Sequence, residues 1–320
     1  MKRILVINYS QTGQLTSIVK SLISPLSKNK TIEVVWEELE PIKPYPFPWP
    51  FIKFLDVFPE SVLMDAPEMK SFSFDPNKKF DLIILSYQVW YLSPSLPVTG
   101  FLKSPEARVM KETPVITVIG CRDMWLIAQE KVKKCLEQIS AKFIDNVVFL
   151  DQGKKGATFI TTPRWLLTGK KEKFWKIFPA AGVSEKDIMN ADSFGNAILK
   201  ALESGEIDRG NSILKGLGAV KVNPNNIKFE QAAHWHFLVW AKIIQAIGKQ
   251  GQMKRLPFLI LFIVFLSGMI LISFPFAIIF NIFINPFRNE EIAKKVEYFE
   301  QPSGSSTERL ESLSAMKDIK

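Results

Sequence analysis

The sequence predicts an α/β fold, a doubly wound five-stranded parallel sheet followed by a C-terminal helical extension and a hydrophobic membrane segment. Short apolar runs alternate with stretches of helical periodicity through the first 150 residues. Strands that alternate with helices pair in parallel through right-handed crossovers, so this rhythm indicates a doubly wound sheet. Farther along, residues 256–284 carry no charge, which exceeds the roughly 20 apolar residues that a membrane helix needs.

Taken in chain order, five strands are expected at residues 4–8, 31–36, 82–87, 114–119 and 143–150. Helices are expected at residues 15–26 and 125–139, where apolar positions recur with a helical period. Residues 41–76 are rich in proline and aromatic side chains, and proline disrupts both helices and strand pairing. This segment is therefore expected to be irregular, either as a rigid loop on the sheet edge or as a wall over an apolar substrate.

Five segments are predicted along the chain. Residues 1–151 form the cofactor-binding domain, 152–228 a basic helical extension or lid, 229–255 an interfacial amphipathic helix, 256–285 a membrane anchor or transmembrane helix, and 286–320 a polar, partly disordered tail. Helices are expected at residues 163–176 and 184–202, the second capped by Ser184 with Asp187 at its third position. A further element is expected at residues 213–222, and disorder from residue 302 onward.

The charge distribution indicates a partner. Forty-one basic and 32 acidic residues give a net charge of +9, and residues 154–176 alone carry seven basic residues against one acidic. Binding to nucleic acid or a plain solvated loop would produce the same excess, but no nucleic-acid motif accompanies it. An anionic bilayer fits better, because a hydrophobic segment already brings the chain to the membrane. No secretory signal is visible, so the expected location is the inner membrane, with the catalytic domain on the cytoplasmic side.

Three loops at the carboxyl ends of predicted strands carry the chemistry. The first joins a strand to a helix, where free N–H groups and the helix dipole suit a phosphate, although an ordinary capped turn would look similar. The second offers aromatic faces for a planar ring, and the third offers close backbone approach and a positive charge. The three loops meet in one crevice if the strand order is 2-1-3-4-5. Their candidate residues are Ser10, Gln11, Thr12, Gly13 and Gln14; then Gln88, Trp90 and Tyr91; then Gly120, Cys121, Arg122 and Trp125.

The loop at residues 9–14, Tyr-Ser-Gln-Thr-Gly-Gln, resembles the phosphate loop of the flavodoxin-like flavoproteins. The resemblance implies FMN as cofactor, with residues 10–14 on its phosphate and with Trp90 and Tyr91 beside its ring. Leu15 stands where that family commonly has another threonine, so one hydroxyl is missing unless Thr16 replaces it. No Walker motif and no G-x-G-x-x-G is present, which disfavours nucleoside triphosphates and classical dinucleotide folds.

Longer strings at residues 86–95, 118–125, 168–173 and 217–222 resemble the bacterial dialkylresorcinol-condensing enzyme family, which works beside a ketosynthase in making dialkylresorcinols and flexirubin-type pigments. Acyl condensation needs a nucleophilic cysteine among histidines, yet the two histidines, His234 and His236, lie beside the hydrophobic segment, and neither cysteine has metal-ligand spacing. The resemblance and the predicted flavin site together favour an FMN-dependent oxidoreductase that aromatises a cyclohexanedione-type intermediate of a lipidic substrate.

In that hypothesis Arg122 stabilises negative charge on the reduced flavin or on an enolate, Cys121 contacts the ring edge, and Tyr91 or Asp123 acts as general base. Arg122 could equally belong to a surface ion pair. Three other hypotheses of function remain: a quinone-linked flavodoxin-like reductase or oxidase, an anchored flavodoxin-type electron carrier, and a membrane scaffold whose cofactor loop no longer binds FMN. The +9 charge disfavours the carrier, because such carriers are usually acidic.

Overall fold

A computed structural model describes residues 1–283 and 289–310, with backbone only for Lys155, residues 272–283 and Asn289. Five parallel strands lie in the order β2-β1-β3-β5-β6, with the two-residue β4 antiparallel to β3. The predicted parallel sheet and its order 2-1-3-4-5 are confirmed, and this is the order of a flavodoxin-like sheet. The strands are β1 (Lys2–Asn8), β2 (Ile32–Glu38), β3 (Leu82–Trp90), β4 (Ser93–Pro94), β5 (Pro114–Cys121) and β6 (Lys142–Leu150).

Helices cover both faces of this sheet, which explains why the central strands are apolar at successive positions rather than at alternate ones. Three longer helices of the N-terminal half are α1 (Gln14–Ser27), α4 (Leu96–Leu102) and α5 (Leu126–Ile139); two short ones, α2 (Phe51–Asp56) and α3 (Phe58–Leu63), lie between α1 and α4. On one face, α1 packs closely on α8 (Asp192–Ser204). Gly195 permits this approach, because a Cβ there would lie 1.8 Å from the carbonyl oxygen of Leu22.

The proline-rich segment contains two short helices, α2 (Phe51–Asp56) and α3 (Phe58–Leu63), where the sequence predicted only irregular structure. Pro50 immediately precedes α2, and Pro59 lies in the first turn of α3. Proline is tolerated at these positions because the first N–H groups of a helix have no intrahelical acceptor. The proline pattern therefore marks the starts of these helices rather than excluding them.

The extension after the sheet differs from the prediction in its boundaries. Helix α6 (Lys155–Thr168) begins eight residues before the predicted 163–176 helix and ends at Gly169, whose positive φ of 76° closes it. The predicted 184–202 helix is divided into α7 (Glu185–Asn190) and α8, with Ser184 capping α7 by accepting a hydrogen bond from the Asp187 N–H at 3.1 Å. Residues 213–222 contain neither helix nor strand.

Three helices follow, α9 (Pro224–Ile247), α10 (Leu256–Phe283) and α11 (Asn289–Glu300). Helix α9 begins five residues before the predicted 229, where the Asn223 side chain caps it. The start of α10 is held to the body of the protein by the fully buried Arg255, whose guanidinium donates to the carboxylate of Glu60 at 2.9 and 3.0 Å. Phe262 of α10 stacks on Phe58 with ring centroids 3.9 Å apart.

Residues 253–271 have a mean hydropathy of 2.0, and 17% of the most apolar window is buried. By length and composition this stretch could cross a membrane, although the core helix of a soluble protein passes the same test.

Part of the tail predicted to be disordered packs on the sheet. Ser303 is buried, and its hydroxyl donates to Asp145 of β6 at 2.6 Å. Residues 304 and 306 also bond to the chain near residues 218–220. The tail is ordered here because Asp145 is a buried carboxylate that needs hydrogen-bond donors, and Ser303 of the tail supplies one. The remaining predicted tail, at residues 286–288 and 311–320, lies outside the described residues.

Candidate functional site

A cavity of about 390 Å³ opens at the carboxyl ends of the parallel strands, beside the point where the strand order reverses between β1 and β3. Ligands of doubly wound sheets bind at this position. All three predicted loops contribute to it, through residues Gln11, Thr12 and Gln14, then Gln88, Trp90 and Tyr91, then Gly120, Cys121 and Arg122. Ser10, Gly13 and Trp125 are not among the lining residues.

The loop between β1 and α1 has the geometry of an anion site. Gly13 caps α1 with φ 78°, and nothing lies within 4 Å of the position that its Cβ would occupy. Within the described part of the chain, the N–H groups of Thr12 and Gly13 donate no hydrogen bond, whereas the Leu15 N–H already donates to the Ser10 hydroxyl at 3.1 Å. Free amides at a helix N-terminus suit a phosphate, so the loop fits the phosphate group predicted for it.

Two residues near this loop have partners that the sequence did not indicate. The Gln14 amide makes a two-point clasp with Val183, accepting from its N–H at 2.9 Å and donating to its carbonyl at 3.1 Å. The Thr16 hydroxyl accepts a hydrogen bond from the Asn8 amide at 2.9 Å and does not line the cavity. Thr16 therefore does not stand in for the hydroxyl missing at Leu15.

The two hydrogen bonds between Gln14 and Val183 hold residues 181–183, here called the strap, against the cavity, which Gly182 and Val183 line. Asp151 at the end of β6 reinforces it by accepting from the Gly182 N–H at 2.7 Å and from the Thr162 hydroxyl of α6 at 3.1 Å. Gly182 has φ +87°, and a Cβ there would lie 2.5 Å from the Gln14 side-chain oxygen. Glycine is thus required at this position by both conformation and space.

The second loop supplies the aromatic wall. Trp90 makes edge contacts with Tyr9, Tyr45 and Trp49, which fix its orientation. The Tyr91 hydroxyl donates to the carbonyl of Phe54 at 2.8 Å, and burial raises the pKa of this phenol well above its usual value. Tyr91 therefore stays neutral and hydrogen-bonded, which suits an apolar wall better than the general base considered for it.

The third loop brings a cation to the cavity. Among the described residues Arg122 has no ion-pair partner; its guanidinium lies 4.2 Å from the ring centroid of Phe159 on α6, and burial lowers its pKa. Cys121 lies beside it, and burial raises the pKa of the thiol, so the sulfur is held as a neutral SH. Trp125, by contrast, is buried in the core at the start of α5. An unpaired, partly desolvated guanidinium is suited to stabilise a developing negative charge.

The far wall of the cavity was missed by sequence analysis. It is built from apolar side chains of α2, α6, α9 and α10, including Phe54, Trp165, Phe229, Phe237 and Leu266. The nearest signal was the aromatic composition of residues 41–76, for which a substrate wall was one of the two interpretations. The contributions of α9 and α10 could not be read from periodicity, because both helices were interpreted as facing a membrane.

One buried carboxyl group lies next to this wall. Glu230, between the lining positions 229 and 233 of α9, accepts from the Ile127 N–H at 3.1 Å through one oxygen, and its other oxygen meets no partner among the described residues. Burial, and secondarily the nearby Asp123, raises its pKa to about 8. The group carries a proton at neutral pH.

No protein-family model and no curated protein matches this chain in sequence. Solved structures with a similar backbone include a flavoprotein in complex with FMN from Lactobacillus acidophilus, at 16% identity and a TM-score of 0.38, covering 46% of this chain and 93% of that one. A WrbA-like flavodoxin from Agrobacterium tumefaciens gives 7% identity and 0.36, covering 64% and 99%. An oxidoreductase from Corynebacterium diphtheriae gives 12% and 0.31, covering 62% and 98%. These values are too low to carry a conclusion about activity, and the flavodoxin-like fold rests on the strand order itself.

Proposed function

We propose that this protein is a membrane-associated, FMN-dependent oxidoreductase that aromatises a cyclohexanedione-type intermediate to a dialkylresorcinol. The observation that supports it best is one cavity that combines three features: a lining residue, Thr12, whose N–H is free next to the free N–H of Gly13; the unpaired Arg122; and an apolar wall that reaches α10. FMN bound there would supply the hydride acceptor, since the cofactor carries such chemistry and the protein orients it.

The side chains around the cavity have separable roles in this reaction. A cyclohexane-1,3-dione enolises readily, and the Arg122 guanidinium would hold the enolate oxygen, so no strong protein base is required. Neutral Tyr91 and Cys121 would exclude water and pack against the ring. The substrate loses one hydride equivalent and one proton, and gains the stability of an aromatic ring.

The same side chains argue against a condensing reaction. Acyl transfer needs an activated nucleophile beside a base, whereas Cys121 is held neutral by burial and no histidine lines the described cavity. A ketosynthase would instead be the partner that supplies the cyclic diketone, and the inner membrane, with this domain on the cytoplasmic side, would be the place where both meet the lipidic substrate.

The test is anaerobic reduction of the FMN-loaded full chain by a 2,5-dialkylcyclohexane-1,3-dione. We expect bleaching of the flavin absorption band with formation of one equivalent of dialkylresorcinol, detected by mass spectrometry. Reduction by a quinol or by a reductase protein, without reduction by the dione, would contradict the proposal and favour the quinone-linked enzyme or the electron carrier. Failure of the colourless protein to take up FMN would favour the scaffold.

A further inference from the structure

The cavity changes in chemical character from one wall to the other. The cofactor end presents amide, hydroxyl and guanidinium groups from Gln11, Thr12, Gln88 and Arg122. The opposite wall consists of hydrocarbon side chains from two helices: Phe229, Ala233 and Phe237 of α9, and Ile263, Leu266 and Ile270 of α10. We name this second region, defined by those six residues, the apolar slot.

The six residues of the slot form one row along each of the two helices. Positions 263, 266 and 270 share one face of α10, and positions 229, 233 and 237 share one face of α9. At 1.5 Å per residue, the lined part of α10 is about 10 Å long, the length of an extended alkyl chain of roughly eight carbons. Two rows of hydrocarbon side chains, one from each helix, fit a single aliphatic chain.

Helix α10, which forms one wall of the slot, is held in place at its N-terminal end and is exposed on the face opposite the slot. The buried Arg255 pairs with Glu60, and Phe262 stacks on Phe58, so the first turns of α10 cannot move freely. Leu261 lies on the opposite side of the helix from the slot and is exposed. One helix thus separates the slot from the surroundings of the protein.

We propose that the apolar slot binds an aliphatic chain of the substrate and that Leu266, at its centre, limits the length of chain accepted. This inference rests on the proposed function, because the head of the same ligand lies at the cofactor end. The cavity is continuous from Arg122 to α10, so a molecule whose polar ring lies beside Arg122 meets only hydrocarbon side chains toward α10. Each methylene buried there adds about fourfold in affinity.

The experiment measures binding rather than turnover, so its outcome is independent of the redox reaction. FMN-loaded full chain in one type of detergent micelle is titrated with 5-alkylresorcinols bearing one, five, eight and fifteen carbons, followed by the change in flavin absorption. The ratio of variant to wild-type dissociation constants at each chain length cancels the partition of the probe into the micelle. The variants are Leu266→Trp, which fills the slot, and Leu261→Trp, the matched control on the outer side.

We expect Leu266→Trp to weaken the eight- and fifteen-carbon probes at least tenfold while changing the one-carbon probe less than twofold, with FMN affinity unchanged. Leu261→Trp should leave every ratio near one. Equal weakening of all chain lengths by Leu266→Trp, no weakening at all, or the same pattern from Leu261→Trp would overturn the slot assignment. If the probes behave as expected but no cyclohexanedione reduces the flavin, the slot stands and the proposed reaction fails.

Discussion

Glu230 is a buried carboxyl group next to the cavity, and burial makes its ionisation costly. The folded protein keeps it protonated up to about pH 8, whereas in the unfolded chain its pKa is near the ordinary value of 4.5. The folded state therefore binds the extra proton between these two values, and stability falls as the pH rises through that window. The loss is complete once the pH exceeds the folded pKa.

Glu230→Gln removes this cost and keeps an acceptor for the Ile127 N–H. We expect the variant to lie within about 1 kcal/mol of the wild type at pH 5 and to be more stable at pH 8.5 by about 4–5 kcal/mol, because the pKa of Glu230 goes from 4.5 to about 8 and each pKa unit corresponds to about 1.4 kcal/mol. Denaturant unfolding at the two pH values measures it. Glu137→Gln, an exposed position on α5, is the control and should show no such pH dependence; a parallel pH profile for Glu230→Gln would contradict the prediction.

Arg122 is the second residue whose replacement should have a measurable effect, here on the rate of flavin reduction. Because its charge lies unpaired among cavity residues, Arg122→Gln should slow flavin reduction by the dione about 10²-fold, the typical effect of losing one preorganised donor. Stopped-flow absorbance under anaerobic conditions measures this rate. Arg164→Gln is a matched control, since that guanidinium also lies over a ring, 4.4 Å from the centroid of Phe174, but does not line the cavity. Equal slowing in both variants would remove the special role of Arg122.

At the scale of elements, the strands and the first loop could be predicted because their signals are local. Residues 4–7 are a continuous apolar run, followed directly by a hydroxyl-rich turn and then by a helical period. These adjacent stretches indicate a strand, a loop and a helix without any information from distant residues. The clasp between Gln14 and Val183 could not be predicted, because its partners are 169 residues apart. The start of α6 was missed for a related reason: Pro163 indicated a helix start, but it lies inside α6.

The strap at residues 181–183, which Gln14 holds through Val183, is expected to slow the dissociation of FMN. Gly182→Ala places a Cβ against the Gln14 side chain at a position of positive φ, so we expect the two hydrogen bonds to weaken. Loss of about 1–2 kcal/mol corresponds to roughly tenfold faster FMN dissociation. Recovery of flavin fluorescence after dilution measures the rate.

Gly156→Ala is the control for this variant, since Gly156 lies in helix α6, outside the strap, and nothing lies within 4 Å of the position that its Cβ would occupy. It should leave the dissociation rate unchanged and slightly favour the helix. Unchanged FMN release from Gly182→Ala would show that the strap does not retain the cofactor.

Across the molecule, exposed apolar side chains and basic residues occur on or next to the helices that line the cavity. Trp175 is 79% exposed and follows the basic stretch after α6, Trp235 is 62% exposed on α9, and Val264 is exposed on α10. Tryptophan at the headgroup level and lysine near anionic lipid both favour a membrane surface. A hydrophobic substrate could then reach the apolar slot without crossing water.

This arrangement predicts that the full chain, diluted from detergent, floats with phosphatidylglycerol vesicles and floats less with neutral vesicles or at high salt, since surface charges are screened. Trp175→Ser and Trp235→Ser should each lower the partition coefficient by about fivefold, as partial burial of one aromatic side chain contributes roughly 1 kcal/mol. Met189→Ser is the control, because Met189 is 66% exposed but lies on α7, beside α1. If Met189→Ser lowered binding as much as the tryptophan variants, vesicle binding would depend on exposed apolar side chains in general and not on a particular face. If only the tryptophan variants lower binding, the cavity side of the molecule faces the bilayer. A hydrophobic substrate could then enter the cavity directly from the membrane.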